Sequence, residues 1–173
     1  MQIIRLTQRA AASTWVIGLV VLATRLPFLA AGYGADPDAW LVADTARQIA
    51  EHGEYAPSRP PGYPIQEFVC GLAQSGGPVA LNGCTALLSV LAAVCFMRCL
   101  RRMGCADAGP AALALALTPV IYVNSVNAMD YVWALAFVLA SLDALLHRRP
   151  LTAGLLLGAA IGCRITSALF VLP

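Results

Sequence analysis

Two aspartates, Asp36 and Asp38, stand at the start of a stretch that the sequence predicts to be helical. A carboxylate placed there can act as a general base that takes a proton from an acceptor hydroxyl or amine. It can equally cap the helix, because an acid near a helix N-terminus gains about 0.3–1 kcal/mol from the helix dipole. The two residues alone leave both interpretations open.

Arg59 and Tyr63 lie a short distance further on, in the segment 55–64. Four of its ten residues are prolines, so the segment cannot be helical and must be extended and fairly rigid. Arginine suits phosphate and carboxylate groups, which makes Arg59 a candidate ligand for either. The alternative is a solvated loop arginine that pairs with a neighbouring acid.

Three further charged residues lie in or beside apolar segments, where an unpaired charge is costly. Asp130 is predicted to lie on the same side as Asp38, where it either faces a cavity or a partner or caps a helix. Arg164 is predicted near the middle of a span, paired with an acid such as Asp143 or with a lipid phosphate. Arg25 is expected to extend to the external interface, where it could also contact a lipid phosphate.

The cysteines and histidines indicate no metal or cofactor site. The six cysteines fall mostly in apolar segments or on the predicted cytoplasmic side, without CxxC spacing and without a histidine cluster. We therefore interpret them as small buried hydrophobic residues. His52 and His147 stand alone and are expected to be surface residues.

The composition predicts a polytopic membrane protein. The chain of 173 residues is 60% hydrophobic and 12% charged, with a mean hydropathy of +0.74. An ordinary soluble domain is about half apolar and about a quarter charged. A secreted disulfide scaffold and a disordered chain are excluded. Nucleic-acid binding is not expected, because the net charge is only +2 and the arginines are scattered.

The apolar runs predict an all-α membrane bundle of about five spans, since a span needs about 20 mostly apolar residues. The expected spans are 10–29, 78–97, 109–126, 129–146 and 151–172. The whole chain is expected to form one transmembrane domain, 1–173. The shorter patch 65–73 could be a re-entrant or interfacial piece, or the early part of the second helix. A cleaved signal peptide is the alternative for the first span, although Arg25 interrupts it where cleavage should occur.

The arginines predict the orientation of these spans. If the spans alternate, seven arginines lie on one side: Arg5, Arg9, Arg98, Arg101, Arg102, Arg148 and Arg149. By the positive-inside rule this side, with the N-terminus, is cytoplasmic. We expect a multi-pass protein of a cell's inner membrane, with the loop 32–77 outside.

The external loop 32–77 is predicted to contain an amphipathic helix from Trp40 to His52, lying along the membrane surface. Asp36-Pro37 is a good start signal for it. Gly53 is a good stop signal. A loop of this length is usually functional or has structure of its own.

Taken together, these motifs resemble the N-terminal part of the GT-C membrane glycosyltransferases. The branch they are most similar to is that of the protein O-mannosyltransferases and aminoarabinose transferases. The matching stretches are Arg25-Leu26-Pro27, Asp36-Pro37-Asp38-Ala39-Trp40, Ala46-Arg47, Gly53-Glu54-Tyr55, Arg59-Pro60-Pro61-Gly62-Tyr63 and the glycine-rich run that ends in Arg164-Ile165-Thr166.

The resemblance implies transfer of a sugar from a polyprenyl-phosphate donor to a protein, lipid or glycan acceptor outside the cytoplasm, with inversion. It implies that Asp38 is the catalytic base, with Asp36 as second choice. Arg59, Tyr63, Asp130, Arg164 and Arg25 are then the candidate substrate-binding residues. It also implies that the chain is the N-terminal part of a larger enzyme and inactive alone. The alternatives are a transporter fragment and a non-catalytic subunit of a membrane complex.

Overall fold

A computed structural model describes residues 14–171 of the chain, and in this range the regular structure is helical, with no β-strand. The all-α prediction is therefore confirmed for these residues. The α-helices are α1 (Thr14–Arg25), α2 (Pro37–His52), α3 (Pro64–Ala73), α4 (Gly77–Arg102), α5 (Ala108–Leu117), α6 (Pro119–Asn124), α7 (Tyr131–Leu146) and α8 (Pro150–Cys163). Short 3₁₀ segments follow α1, α3 and α8.

Helix α2 begins and ends where its sequence signals place it. The Asp36 side chain accepts a hydrogen bond of 3.0 Å from the backbone N–H of Asp38, and Pro37 occupies the first turn. Gly53 ends the helix in the left-handed conformation, with φ of 70°. A residue with a Cβ adopts this conformation only at a cost, so glycine is the natural stop.

The apolar face of α2 is covered by protein. Val42 and Ala46 are fully buried and belong to one core cluster with Cys70 of α3 and Trp133 of α7. The expectation that this face lies on a membrane surface is therefore wrong. The face is made of small residues, which allow α3 to approach closely: a Cβ on Gly71 would lie 2.8 Å from the Ile49 side chain.

One helical stretch in the described range is long and apolar enough to cross a membrane, and it runs from Pro64 to Arg102. It comprises α3, a 3₁₀ turn and α4, with Gly77 at the junction in a positive-φ conformation (57°). The remaining apolar helices are shorter, at 10–17 residues. By length and composition alone, the structure does not confirm five spans.

Two expected spans are interrupted. The segment 109–126 breaks at Thr118, whose extended backbone (ψ 126°) separates α5 from α6, because the following Pro119 disfavours the helical conformation of the residue before it. The segment 151–172 breaks at Arg164, which is extended (φ −161°, ψ 114°) and is followed by a 3₁₀ segment, Ile165–Val171. Arg164 therefore ends α8 and is not the middle of a continuous helix.

Helix α4 is the centre of the fold. It packs against α7 and α1 on different faces, and α7 in turn packs against α8. On the α7 side, Trp133 donates a 3.0 Å hydrogen bond from its indole N–H to the Thr85 hydroxyl. This packing places the N-terminus of α7 and the C-terminus of α8 beside the N-terminus of α2.

Candidate functional site

Four charged side chains meet at these helix ends, and we call Asp38, Arg59, Asp130 and Arg164 the charge cluster. Arg59 donates from Nη1 to a carboxylate oxygen of Asp38 and from Nη2 to Oδ1 of Asp130, at 3.0 Å for the latter. Arg164 donates from Nη1 to Oδ2 of Asp130 at 2.6 Å. All four residues were candidates from the sequence, and the structure brings them together.

Each member of the charge cluster comes from a different part of the chain. Asp38 lies in the first turn of α2, and Arg59 lies in the non-helical segment 55–64. Asp130 immediately precedes α7, and Arg164 immediately follows α8. A buried charge is tolerated only when it is paired and hydrogen-bonded, so this convergence constrains all four segments.

Asp130 is fully buried, and both of its carboxylate oxygens accept hydrogen bonds from arginine. It is therefore the counter-charge that holds Arg59 and Arg164 side by side. The alternative role of a helix cap is not observed, because the Asp130 side chain makes no capping hydrogen bond to α7.

Two tyrosine rings lie against the arginines. The guanidinium carbon of Arg59 is 4.6 Å from the ring centroid of Tyr63, and that of Arg164 is 4.2 Å from the ring centroid of Tyr131. A cation over an aromatic face is attracted by about 0.5–1 kcal/mol at exposed sites and more when water is excluded. The structure thus places Tyr63 at the cluster as expected and adds Tyr131, which the sequence analysis did not select.

Arg59 is held in its charged form. Burial lowers the pKa of its guanidinium, but the hydrogen bonds to Asp130 and Asp38 and the charge of Asp130 outweigh burial and raise the pKa above its ordinary value. Its Nε atom is buried and has no hydrogen-bond partner among the described residues. Arg59 therefore remains positively charged, and its Nε–H is a hydrogen-bond donor without an acceptor among the described residues.

Asp38 is the most accessible carboxylate of the cluster. Its side chain is 38% exposed, against 16% for Arg59 and none for Asp130. Asp36, the second candidate base, does not bind the arginines of the cluster: it caps α2 and lines a neighbouring cleft of about 350 Å³ with Asn124 and with Tyr131, the tyrosine that packs on Arg164. The capping interpretation of Asp36 is therefore observed.

Arg25 lies outside the charge cluster. It is fully buried, donates to the Ser125 hydroxyl at 3.0 Å and to the carbonyl oxygen of Ala116, and packs over the ring of Tyr122 at 4.5 Å. The expectation that it extends to the external interface is wrong. Ala116 lies at the C-terminal end of α5, whose last carbonyls lack helical partners and attract a cation.

Asp143 is not the partner of Arg164. It forms an ion pair with Arg98 at 3.0 Å, and His147 lies 3.4 Å from its other carboxylate oxygen, at the opposite end of α7 from Asp130. The pairing of Arg164 with Asp143 that the sequence allowed is therefore wrong. The two acids mark the two ends of one helix and serve different partners.

Glu67 is a buried acid of α3 and was not among the residues selected from the sequence. It is fully buried, and its carboxylate accepts hydrogen bonds from the Tyr55 hydroxyl (2.7 Å) and the backbone N–H groups of Ser58 (2.8 Å) and Tyr63 (3.0 Å). Burial, together with Glu67, raises the pKa of the Tyr55 hydroxyl above its ordinary range, so that it remains a donor. A lone acid in the apolar run 64–73 was the signal that such partners exist.

The described residues contain no group of three or more histidine, cysteine, aspartate or glutamate side chains arranged to hold a metal ion. All six cysteines are free thiols, and four of them are buried: Cys70, Cys95, Cys99 and Cys163.

Comparisons of the chain with protein-family models, with curated proteins and with solved structures found no match.

Proposed function

We propose that this protein is a polytopic membrane glycosyltransferase, which moves a sugar from a polyprenyl-phosphate donor to an acceptor on the external face. The observation that carries the proposal is the charge cluster: an accessible carboxylate, Asp38, bound to an arginine, Arg59, that is held charged. Phosphoryl-linked sugar transfer needs both groups next to each other, because a base must act on the acceptor while cations stabilise the leaving phosphate.

In the proposed reaction Asp38 takes the proton of the acceptor hydroxyl or amine. The acceptor atom forms a bond to the anomeric carbon of the sugar, and the bond from that carbon to the phosphate oxygen breaks. Polyprenyl phosphate leaves with the electron pair, and a single displacement of this kind inverts the anomeric carbon. Arg59 and Arg164 offset the charge that develops on the leaving phosphate.

Donor binding prepares Asp38 for this role. In the charge cluster, Arg59 is shared between Asp38 and Asp130. A donor phosphate competes with Asp38 for Arg59, because both are anions that suit the guanidinium fork. Once Arg59 binds the phosphate, Asp38 loses its partner and its carboxylate oxygen is open to the acceptor, while Asp130 keeps Arg59 in place.

Membrane insertion in about five spans, with the N-terminus cytoplasmic and loop 32–77 outside, is part of the proposal. The apolar surface supports it: large hydrophobic side chains of several helices are strongly exposed, including Leu72 (87%), Leu151 (77%) and Leu155 (69%). Soluble monomers rarely expose contiguous apolar patches larger than a few hundred Å². The helical stretch Pro64–Arg102 supports it as well.

The proposal is tested by determining which class of sugar donor the protein uses. The protein is expressed from its complete gene, so that any sequence encoded beyond Pro173 is present, and is reconstituted in lipid vesicles with a panel of acceptors. We expect sugar transfer from polyprenyl-phosphate-linked sugars and none from nucleotide sugars. Transfer from nucleotide sugars alone would contradict the proposal.

A further inference from the structure

The segment 55–64, which we call the proline segment, carries both Arg59 and Tyr63. Only its last residue, Pro64, belongs to a helix, and the first helical bond of α3 runs from the backbone N–H of Glu67 to the carbonyl oxygen of Tyr63. Residues 55–62 therefore have no helical hydrogen bonds to hold their backbone. An arginine that recognises phosphate must nevertheless be held within about 0.5 Å of its working position. Contacts from outside the segment must therefore fix it.

Two such contacts come from neighbouring helices. The Thr45 hydroxyl of α2 donates to the carbonyl oxygen of Ala56 at 3.0 Å, near the start of the segment. The rings of Tyr55 and Phe68 stack, with centroids 5.0 Å apart. Both contacts lie at the Tyr55 end of the segment. Asp38 and Asp130 bind the Arg59 side chain, but neither of the two contacts fixes the backbone on either side of Arg59.

Glu67 supplies the restraint at Arg59. Its carboxylate binds the backbone N–H of Ser58, the residue before Arg59, and the backbone N–H of Tyr63, whose ring lies against the Arg59 guanidinium. One carboxylate thus ties down the chain on both sides of Arg59. Hydrogen bonds to an ionised acceptor are roughly twice as strong as neutral ones.

The packing around Glu67 leaves it no competing partner. It is fully buried, and none of its hydrogen bonds goes to a lysine or arginine side chain within the described range. Burying a carboxylate with only neutral donors is costly, and an apolar side chain would cover the same surface without that cost. The role of the carboxylate is therefore to accept hydrogen bonds from three donors of the proline segment: the Tyr55 hydroxyl and the backbone N–H groups of Ser58 and Tyr63.

We propose that Glu67 is a positioning residue that sets the place of Arg59 at the donor phosphate, acting through the backbone of the proline segment without touching substrate. This inference rests on the proposed function, because it assigns the purpose of Arg59 to phosphate binding. The geometric half of the inference is that Glu67 fixes the backbone around Arg59. It can be measured without an assay of enzymatic activity.

The central variant is Glu67→Gln, which keeps the size of the side chain. A glutamine has one acceptor oxygen and one NH₂ group, so at least one of the three donors must face another donor. We expect kcat/KM for the polyprenyl donor to fall about 10- to 100-fold, the range for a misplacement of about 1 Å. Asp44→Asn is the matched control, since Asp44 is an exposed acid of α2 outside the cluster, and should change kcat/KM less than about twofold.

A double-mutant cycle separates positioning from general folding support. If Glu67 acts through Arg59, then Glu67→Gln costs much less in an Arg59→Gln background than in the wild type. Equal costs in the two backgrounds would overturn the proposal. Tyr55→Phe removes one donor and keeps the ring stacking on Phe68, so it tests the same idea with a milder change and should cost a few-fold.

Amide hydrogen exchange tests the geometric half alone. In Glu67→Gln the backbone amides of Ser58 and Tyr63 should exchange at least about tenfold faster, while that of Gly53, bonded within α2, should not change. Unchanged exchange at Ser58 and Tyr63 overturns the positioning role even if transfer is observed. Faster exchange in a protein that shows no polyprenyl-dependent transfer upholds the geometry and rejects the proposed function instead.

Discussion

Arg164 donates a 2.6 Å hydrogen bond to Asp130, although 34 residues separate them in the chain. The bond joins the point where α8 ends to the point where α7 begins. The second oxygen of Asp130 accepts from Arg59 at 3.0 Å, so a single buried carboxylate connects the helical bundle to the proline segment. The position of both arginines at the proposed phosphate site depends on it.

Asp130→Asn should therefore destabilise the protein. It leaves two arginines without their shared counter-charge, and breaking a buried ion pair costs about 3–5 kcal/mol. We expect the lower end of this range, because Arg164 is about one-third exposed. The free energy of unfolding in detergent measures the effect. Asp107→Asn is the control, since Asp107 is exposed and its replacement should change the free energy of unfolding by only about 0.5 kcal/mol. An equally small loss for Asp130→Asn would contradict the role of Asp130.

Arg25 and Arg59 should behave differently when each is replaced. Arg59→Gln should raise the KM for the polyprenyl donor about tenfold or more, since a hydrogen bond to a charged group contributes about 1.5–3 kcal/mol. Arg25→Met should lower the melting temperature and leave this KM within about twofold, because Arg25 contacts Ser125 and the end of α5. A large increase in the donor KM for Arg25→Met would instead indicate that Arg25 takes part in donor binding.

Gly62→Ala should disturb the proline segment. Gly62 has φ of 101°, and a Cβ there would lie 2.8 Å from the Tyr55 hydroxyl that binds Glu67. The backbone strain alone is about 1–3 kcal/mol. We expect lower thermal stability and lower transfer together. Gly154→Ala in α8 is the control, since a Cβ there meets nothing within 4 Å and the change should be neutral or slightly stabilising.

The orientation can be tested with an impermeant maleimide on intact cells. Cys105 is exposed and lies between α4 and α5, on the side predicted to be cytoplasmic, so it should react only after the cells are opened. A cysteine introduced by Glu54→Cys, at an exposed position of the external loop, should react in intact cells. The reverse labelling pattern would mean that the orientation is opposite to the predicted one. Equal labelling of both cysteines would argue against a chain that spans the membrane between them.

Local signals made α2 predictable, whereas long-range contacts could not be read from the sequence. Asp36, Pro37 and Gly53 act within one or two turns of their own positions, and the structure places the helix ends at them. The pairing of Arg164 with Asp130 depends on how α7 and α8 pack, and the sequence offered Asp143, at the other end of α7, as the acid partner of Arg164. Membership of the charge cluster could be anticipated because buried charges require partners.

The errors have similar physical origins. The extension of Arg25 to the interface assumed a lipid-facing side chain, and the structure turns it toward the end of α5. The span 109–126 looked continuous because its residues are apolar, although Pro119 marked a break. Glu67 was not selected from the sequence, because only the fold shows that it is buried and bound to the proline segment.

The most direct test of the proposed function is Asp38→Asn, scored by transfer of radiolabelled sugar from a polyprenyl-phosphate donor, with Asp44→Asn as the matched control. The asparagine cannot take the acceptor's proton but can still accept a hydrogen bond from Arg59. We predict that transfer falls at least about 100-fold, the low end for a general base, with the control fully active. The donor KM should stay the same or fall, because a neutral asparagine competes less with the donor phosphate for Arg59. Undiminished transfer by Asp38→Asn would contradict the account.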